Sequence, residues 1–247
     1  MVGFRKLTLV QAKLYLREPM AAFFTLLFGP FLLILLGFIF KNDPTPVYNG
    51  LGYLDVAVPG YMAMVIAIVG LTAVPISAAI RRESGVLRRF SVTPLRPLTY
   101  FLTDVLVPFV MTLVGILLLV LVGMVVFGVH FQGNVFSLLG GICLGAAAFF
   151  ALGYALVGLV PSARAVIVIG NVVLYPLMIF SGAMVPLAVM PETVRAISRF
   201  SPLTHLTALL RGLWFGQPWG NFLTEVAVLA GIAIVGTVIV ARTFRWE

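Results

Sequence analysis

Charged residues are scarce in this sequence of 247 residues. Lys, Arg, Asp and Glu together make up 10% of it, whereas a soluble domain usually has roughly a quarter. Hydrophobic residues make up 62%, and no stretch is polar enough to form a separate soluble domain. The composition excludes a water-soluble globule. It predicts an all-α integral membrane protein, because a helix satisfies its own backbone hydrogen bonds in lipid.

The residues and motifs of several enzyme classes are also missing. The one cysteine, Cys143, has no partner in the chain, which excludes an internal disulfide. The sequence has no G-x-x-x-x-G-K-[ST] phosphate loop, no H-E-x-x-H zinc motif and no G-x-S-x-G nucleophile turn. We therefore predict no catalytic residue, cofactor site or metal site in this chain. Any ATP chemistry must come from another protein.

Six apolar stretches are long enough, or nearly so, to cross a membrane as a helix, which needs about 20 residues. They cover residues 21–40, 58–80, 104–129, 135–160, 165–185 and 221–241. No cleaved signal peptide is indicated, because no short apolar core is followed by a small-residue cleavage site. The sequence thus predicts a single transmembrane domain over residues 1–247.

The net charge of +8 indicates membrane topology rather than nucleic-acid binding, because the 16 Lys and Arg residues lie beside the apolar runs. An even number of spans places both termini on one side of the membrane. With the termini inside, twelve basic residues are cytoplasmic and four are outside. The positive-inside rule therefore predicts a multi-pass protein of the cell's inner (cytoplasmic) membrane, in contact with lipid, with both termini cytoplasmic.

Two segments outside the spans have amphipathic patterns. Residues 4–18 place apolar side chains on one face and basic ones on another. This pattern fits an interfacial helix on the membrane surface and, equally, a basic flank that anchors topology. Residues 186–220 are apolar but broken by four prolines, and predict two short helices split at Pro202. Irregular backbone at membrane depth must pack on protein or water, so we predict an outer re-entrant hairpin there.

The inner loop at residues 81–97 is the most informative segment. It holds five of the sixteen basic residues and predicts a short helix ended by Pro94 and Pro97. Such a helix fits a knob for a cytoplasmic protein or a basic loop lying on anionic lipid. Its residue order resembles the coupling helix between the second and third spans of type-2 ABC exporter permeases. The residues concerned are Arg82-Glu83-Ser84-Gly85-Val86-Leu87, followed by Val92-Thr93-Pro94-Leu95.

A second resemblance to the same family follows the fifth span. It is carried by Ser181-Gly182, Pro186, Met190-Pro191, Pro202-Leu203-Thr204 and Arg211. The two matches occur in the family's order and, with the six spans, cover nearly the whole chain. The resemblance implies a transmembrane permease subunit of an ATP-driven ABC exporter.

The same resemblance implies partners and a coupling site. The permease would pair with a second copy or a close homologue, and with two copies of a separately encoded ABC ATPase that binds ATP and Mg. The expected ATPase-coupling residues are Arg82, Glu83, Gly85, Leu87, Arg88 and Pro94. Arg88 stands where the family often has an acidic residue, which bears on which ATPase the chain fits.

The spans have almost no charge, which favours export of a hydrophobic or amphipathic compound such as a drug-like molecule or a lipid. Asn171 fits a group on the substrate path or subunit interface, and equally a helix–helix hydrogen bond. We expect Asp104 and Glu225 to be solvated residues at the membrane faces. The candidate residues for the substrate path or the subunit interface are Asn171, Tyr175, Phe180, Ser181 and Gly182.

Other functions stay open at this point. A permease for polysaccharide or lipid-linked glycan predicts stacking aromatic residues along its path, and the third to fifth spans have few. A non-transporting membrane scaffold for a cytoplasmic partner predicts ATPase activity that ignores both substrate and the Glu83→Ala change. A membrane-embedded transferase or protease needs clustered acids, histidines or an activated serine, which the sequence does not show.

Overall fold

The structure, a computed structural model, describes residues 2–48, 50–84, 97–184, 187 and 190–243. The described residues form helices joined by loops, with no strand among them. Six of the helices are long and apolar enough to cross a membrane, so the predicted all-α fold with six transmembrane helices is confirmed. In chain order the helices are α1 (Val2–Arg17), α2 (Pro19–Phe40), α3 (Tyr53–Glu83), α4 (Pro97–Phe127), α5 (Val135–Leu159), α6 (Ala163–Phe180), α7 (Glu192–Ser198), α8 (Pro202–Trp214) and α9 (Trp219–Thr243). The six candidate spans are α2 to α6 and α9.

Local sequence explains where several of these helices begin. Pro19 is the first residue of α2. Backbone N–H groups in the first helical turn have no acceptor within the helix, so proline, which lacks an N–H, is favoured there. The side chain of Asn134 accepts from two backbone N–H groups at the start of α5, and Ser162 accepts from Ala165 at the start of α6. Ser201 caps α8 in the same way, and Pro202 is its first residue. The break between α7 and α8 lies just before Pro202. Whether this pair enters the membrane as a re-entrant hairpin stays a prediction.

The bundle has two ends that differ in their connections. At the first end, Glu83 at the end of α3 contacts Ala163 at the start of α6. Gly158 near the end of α5 lies beside Thr243 at the end of α9. We call this the N-terminal end, because α1 packs there against α4. At the opposite end, the loops that follow α2, α4, α6 and α8 come together.

Helix α3 lies at the centre of the bundle. It packs against α2, α4, α5, α6 and α8, and nearly every residue from 54 to 70 is buried. It crosses α5 closely, because a methyl group placed at Gly153 would collide with the carbonyl oxygen of Gly70. Glycine is therefore needed where the two backbones meet. A displacement of α3 would therefore also displace the helices that pack against it.

Two spans contain short π-helical segments, at Phe23–Leu27 in α2 and Val69–Ala73 in α3. A π-helical turn widens the helix locally and is often found at functional sites. Both segments contribute residues to one cavity between the spans. The fold thus places its two helical irregularities beside the same internal space.

Candidate functional site

One cavity, with a volume of about 520 Å³, lies between α2, α3 and α6. This volume is within the range of pockets that hold drug-sized ligands, about 300–1,000 Å³. Its walls are mostly apolar. They include Phe24 and Phe28 from α2, Ile68 and Ile80 from α3, and Leu174 and Met178 from α6.

Few polar groups face this cavity, and several of them are already bonded within their own helices. The hydroxyl of Thr72 donates to the carbonyl oxygen of Ile68 at 2.6 Å. The amide of Asn171 donates to the carbonyl oxygen of Ile167 at 3.0 Å. Asn171 therefore makes no helix–helix hydrogen bond among the described residues, and it contributes to the cavity wall. The cavity offers an apolar ligand many contacts and a polymeric sugar few.

The candidate path residues separate into two groups in the structure. Asn171 and Tyr175 line the cavity, and Tyr175 is 59% exposed. Phe180, Ser181 and Gly182 lie further along the chain, towards the opposite end of the bundle. The buried Ser181 accepts from the N–H of Ala183, and Gly182 has a φ of 73°, a left-handed conformation that glycine adopts without strain. The role of all five on a substrate path stays a prediction.

At the N-terminal end, two of the expected coupling residues hold the turn between α5 and α6. Arg82 donates to the carbonyl oxygens of Val157 and Val160 at the end of α5, the latter at 2.7 Å. Glu83 accepts from the N–H of Ala163, the first residue of α6, at 2.6 Å. A cation at a helix C-terminus and an anion at a helix N-terminus both match the helix dipole. The last turn of α3 therefore caps two other spans.

The neighbouring Arg81 extends this arrangement to a third span. Its guanidinium lies 2.5 Å from the carboxylate of Asp104 in α4. The hydroxyl of Tyr154 in α5 donates to the other oxygen of that carboxylate at 2.7 Å. Together, Arg81, Arg82 and Glu83 connect α3 to α4, α5 and α6. We call these three residues and their partners the polar junction.

The expectation that Asp104 is a solvated residue at the membrane face is wrong. Its side chain is 7% exposed and is held by Arg81 and Tyr154. Helix α4 begins at Pro97, seven residues before Asp104, so the carboxylate lies inside the bundle. Arg81 and Asp104 are 23 residues apart, so their pairing produces no periodic pattern in the sequence. The proximity of a basic run to a lone acid in the next apolar stretch was the available hint.

The rest of the predicted coupling helix lies outside the described residues. This applies to Gly85, Leu87, Arg88 and Pro94, which remain sequence-based predictions. In the sequence, Ser84 alone separates Glu83 from Gly85, so the polar junction is adjacent to the rest of the predicted coupling helix.

The amphipathic helix α1 is attached to the same end. The hydroxyl of Tyr15 lies 2.6 Å from that of Thr25 in α2. Burial raises the pKa of Tyr15 to about 12, so the phenol stays neutral. A second cavity of about 170 Å³ lies between α1, α3 and α4, beside Arg81 and Asp104.

Charged residues at the opposite end bond mainly to backbone groups. Arg211 in α8 donates to the carbonyl oxygens of Val56 at 3.3 Å and Gly182 at 3.1 Å. Burial lowers the pKa of its guanidinium. Asp55, which is 5% exposed, accepts from the backbone N–H groups of Gly52 and His130 at 3.1 and 2.9 Å. Sequence reasoning missed Asp55, because its partners lie in loops that apolar periodicity does not describe.

The described residues contain no group of three or more His, Cys, Asp and Glu side chains placed to hold a metal ion. The arrangement consists of an apolar cavity and a polar junction that ties helix ends together. No set of groups for bond-breaking chemistry is visible among the described side chains.

Comparison with known proteins decides the family. The family model described as "ABC-2 type transporter" matches residues 3–215, which covers most of the chain. This chain belongs to the ABC-2 type transporter family. Permeases of this family work with ABC ATPase subunits.

One curated relative is Nodulation protein J of Rhizobium leguminosarum bv. viciae. It is 32% identical to this chain over 94 residues. The match covers 38% of this chain and 36% of the relative, which is little more than a third of each. It supports the assignment to the family. It does not extend to the activity of the whole protein.

Proposed function

We propose that this permease is the transmembrane subunit of an ATP-driven exporter, and that a separately encoded ABC ATPase drives it through the segment after α3. The polar junction is the observation that supports this proposal most strongly. Three of its charged residues, Arg81, Arg82 and Glu83, lie just before that segment and bond to α4, α5 and α6. A push on residues 85–96 would therefore reach four spans at once.

The junction suits the transmission of movement because its contacts are charged and short. Glu83 and Arg82 are adjacent, and they grip the two sides of the α5–α6 turn. Hydrogen bonds that involve an ionised group are roughly twice as strong as neutral ones. If the end of α3 moved, the α5–α6 turn would move with it as a rigid unit. Any bending would then occur in other parts of the bundle.

Movement of α6 would change the cavity, since α6 forms one of its walls. We propose that the cavity takes a hydrophobic or amphipathic compound and that relative movement of α2, α3 and α6 alters its access. The sparse polar lining favours such a compound over a polysaccharide, which needs many hydrogen-bonding groups. Rigid-body movement of helices is a common form of such switching.

We also propose a second permease copy next to the cavity, with the N-terminal end of both copies in the cytoplasm of a cell with an inner membrane. Met20 and Tyr175 at the edge of the cavity are 71% and 59% exposed. A second copy would cover these side chains and close the cavity. The positive-inside count supports the orientation.

The proposal is tested by co-expressing the permease with a candidate ABC ATPase subunit. Co-purification and ATP-dependent uptake of a fluorescent amphiphile into inside-out vesicles are then measured. The Glu83→Gln variant should assemble with the ATPase and hydrolyse ATP. Its uptake should fall by about tenfold or more, since the bond from the junction to α6 is weakened.

Glu192→Gln is the matched control, because Glu192 is an exposed acid at the opposite end. It should leave uptake unchanged. Two results would refute the proposal. One is a permease that never co-purifies with an ABC ATPase. The other is an assembled complex whose ATP-driven uptake is the same in wild type and Glu83→Gln.

A further inference from the structure

Two cavities meet at one acidic side chain near the N-terminal end. The larger cavity, about 520 Å³, lies between α2, α3 and α6, and the smaller, about 170 Å³, lies under α1. Glu18 and Ser77 line both of them. The two spaces therefore adjoin where α1 turns into α2.

The carboxylate of Glu18 has no hydrogen bond or ion pair with any described residue. It stands at the N-cap position of α2 but makes no capping bond there. Arg81 is the cation that lines the smaller cavity, and Asp104 holds it at 2.5 Å. Glu18 is thus an acid facing two cavities without a neutralising partner in the described part of the chain.

A second acceptor faces the smaller cavity. The side-chain oxygen of Gln11 is buried and has no hydrogen-bond partner among the described residues. A buried acceptor needs a donor, which a ligand or a water molecule supplies. The carboxylate of Glu18 and the side-chain oxygen of Gln11 are both hydrogen-bond acceptors on this surface.

We propose that the two cavities form one binding site for an amphipathic amine, with Glu18 as the group that receives its ammonium. This assignment rests on the proposed export function and narrows its substrate class. The ammonium would lie at the junction of the cavities, donating to Glu18 and to Gln11. The apolar body would occupy the larger cavity beside Phe24, Phe28 and Leu174.

Charge complementarity decides the occupant. An anionic headgroup would be repelled by Glu18 and would find an acceptor, not a donor, in the side-chain oxygen of Gln11. The guanidinium of Arg81 is already paired with Asp104. A neutral amphiphile would leave the carboxylate unpaired. Glu18 is exposed, and an ion pair that it forms there contributes up to about 1 kcal/mol. The site should therefore discriminate by the charge of the head.

Three fluorescent probes with the same chain test this prediction. They are dansylated 12-aminododecylamine, its neutral N-acetyl derivative and the matching carboxylate, 12-(dansylamino)dodecanoate. Binding is measured by dansyl fluorescence on the full-length permease in phosphatidylcholine nanodiscs, and empty nanodiscs supply the background. We expect the ammonium probe to bind about fivefold more tightly than the neutral one, which equals about 1 kcal/mol. The carboxylate probe should bind more weakly than either.

Glu18→Gln should reduce the preference for the ammonium probe to about twofold or less and leave neutral binding unchanged. Glu18→Asp should keep most of the preference, which separates charge from folding. Glu225→Gln is the matched control, because Glu225 lies at the start of α9 and lines neither cavity. It should change nothing.

Equal binding of the three probes would overturn the assignment, and so would a preference that survives Glu18→Gln. The measurement needs no ATPase, so it is independent of the export proposal. Transport that fails while the charge preference holds would refute export only. Transport that works without a charge preference would refute the amine site only.

Discussion

The two ends of this bundle hold their helices in different ways. At the opposite end, Arg211 and Asp55 bond to carbonyl and N–H groups of loops and first turns. At the N-terminal end, the consecutive Arg81, Arg82 and Glu83 bond to three other spans. The first arrangement joins α8 and neighbouring loops to the start of α3. The second connects α3 to three other spans through three consecutive residues.

This difference bears on how force would pass through the molecule. Removing a contact at the opposite end should loosen a loop and cost stability. Removing one at the N-terminal end should also disconnect the spans from the segment that follows α3. Variants at the N-terminal end should therefore lose stability and coupling together, whereas variants at the opposite end should lose stability alone. The variants below probe that contrast, in order of expected effect.

The largest effect on stability is expected from Asp104→Asn, which leaves Arg81 without its acid. Breaking a buried ion pair costs about 3–5 kcal/mol. Arg81 is partly exposed, so we expect a loss of about 2 kcal/mol in the free energy of unfolding, measured by chemical unfolding in detergent.

The double variant Arg81→Met with Asp104→Asn supplies the control for this pair. If the two groups act together, it should be less destabilised than the sum of the single variants. Strict additivity would show that the ion pair contributes nothing and would weaken the contrast between the ends.

Arg211→Met removes two bonds from a charged donor at the opposite end. We expect a loss of about 1.5 kcal/mol in the free energy of unfolding, because each bond contributes modestly once hydration is counted. The ratio of substrate moved to ATP hydrolysed should stay at the wild-type value. An uncoupled Arg211→Met complex would show that both ends transmit movement.

Tyr154→Phe removes only the hydroxyl that donates to Asp104. The expected loss is about 1 kcal/mol in the free energy of unfolding, because the Arg81–Asp104 pair remains. A loss as large as that of Asp104→Asn would mean that the tyrosine, rather than the arginine, holds the carboxylate.

The smallest effect on stability is expected from Asn171→Leu. Its amide bonds to its own helix, so the free energy of unfolding should change by no more than about 0.5 kcal/mol. Substrate affinity, measured by fluorescence titration, should change instead, since the side chain lines the cavity. A large loss of stability with unchanged affinity would favour a role in helix packing.

The sequence predicted the fold well because apolar length is a local signal. Runs of about 20 residues identify spans without knowledge of their neighbours. Pro202 marks the start of α8 for an equally local reason, its suitability for the first helical turn.

The sites were harder to predict, because they depend on which helix ends meet. The roles of Arg82 and Glu83 as caps require α5 to end and α6 to begin beside the end of α3. The burial of Asp104 requires α4 to start seven residues before it, at Pro97. The sequence gives no sign that Glu18 lines a site, because the two cavities beside it are formed by helices that are distant in the sequence.

The most direct test of the account is a photo-cross-linking measurement at the two ends in working membranes. The lone Cys143 allows a cysteine-free background, Cys143→Ala, into which a single cysteine is placed at Leu87 or at the exposed Ile197 and labelled with a photoreactive maleimide. The account predicts that position 87 captures an ABC ATPase subunit and that position 197 does not. Capture of lipid alone from position 87, in membranes where the ATPase is present and active, would contradict it.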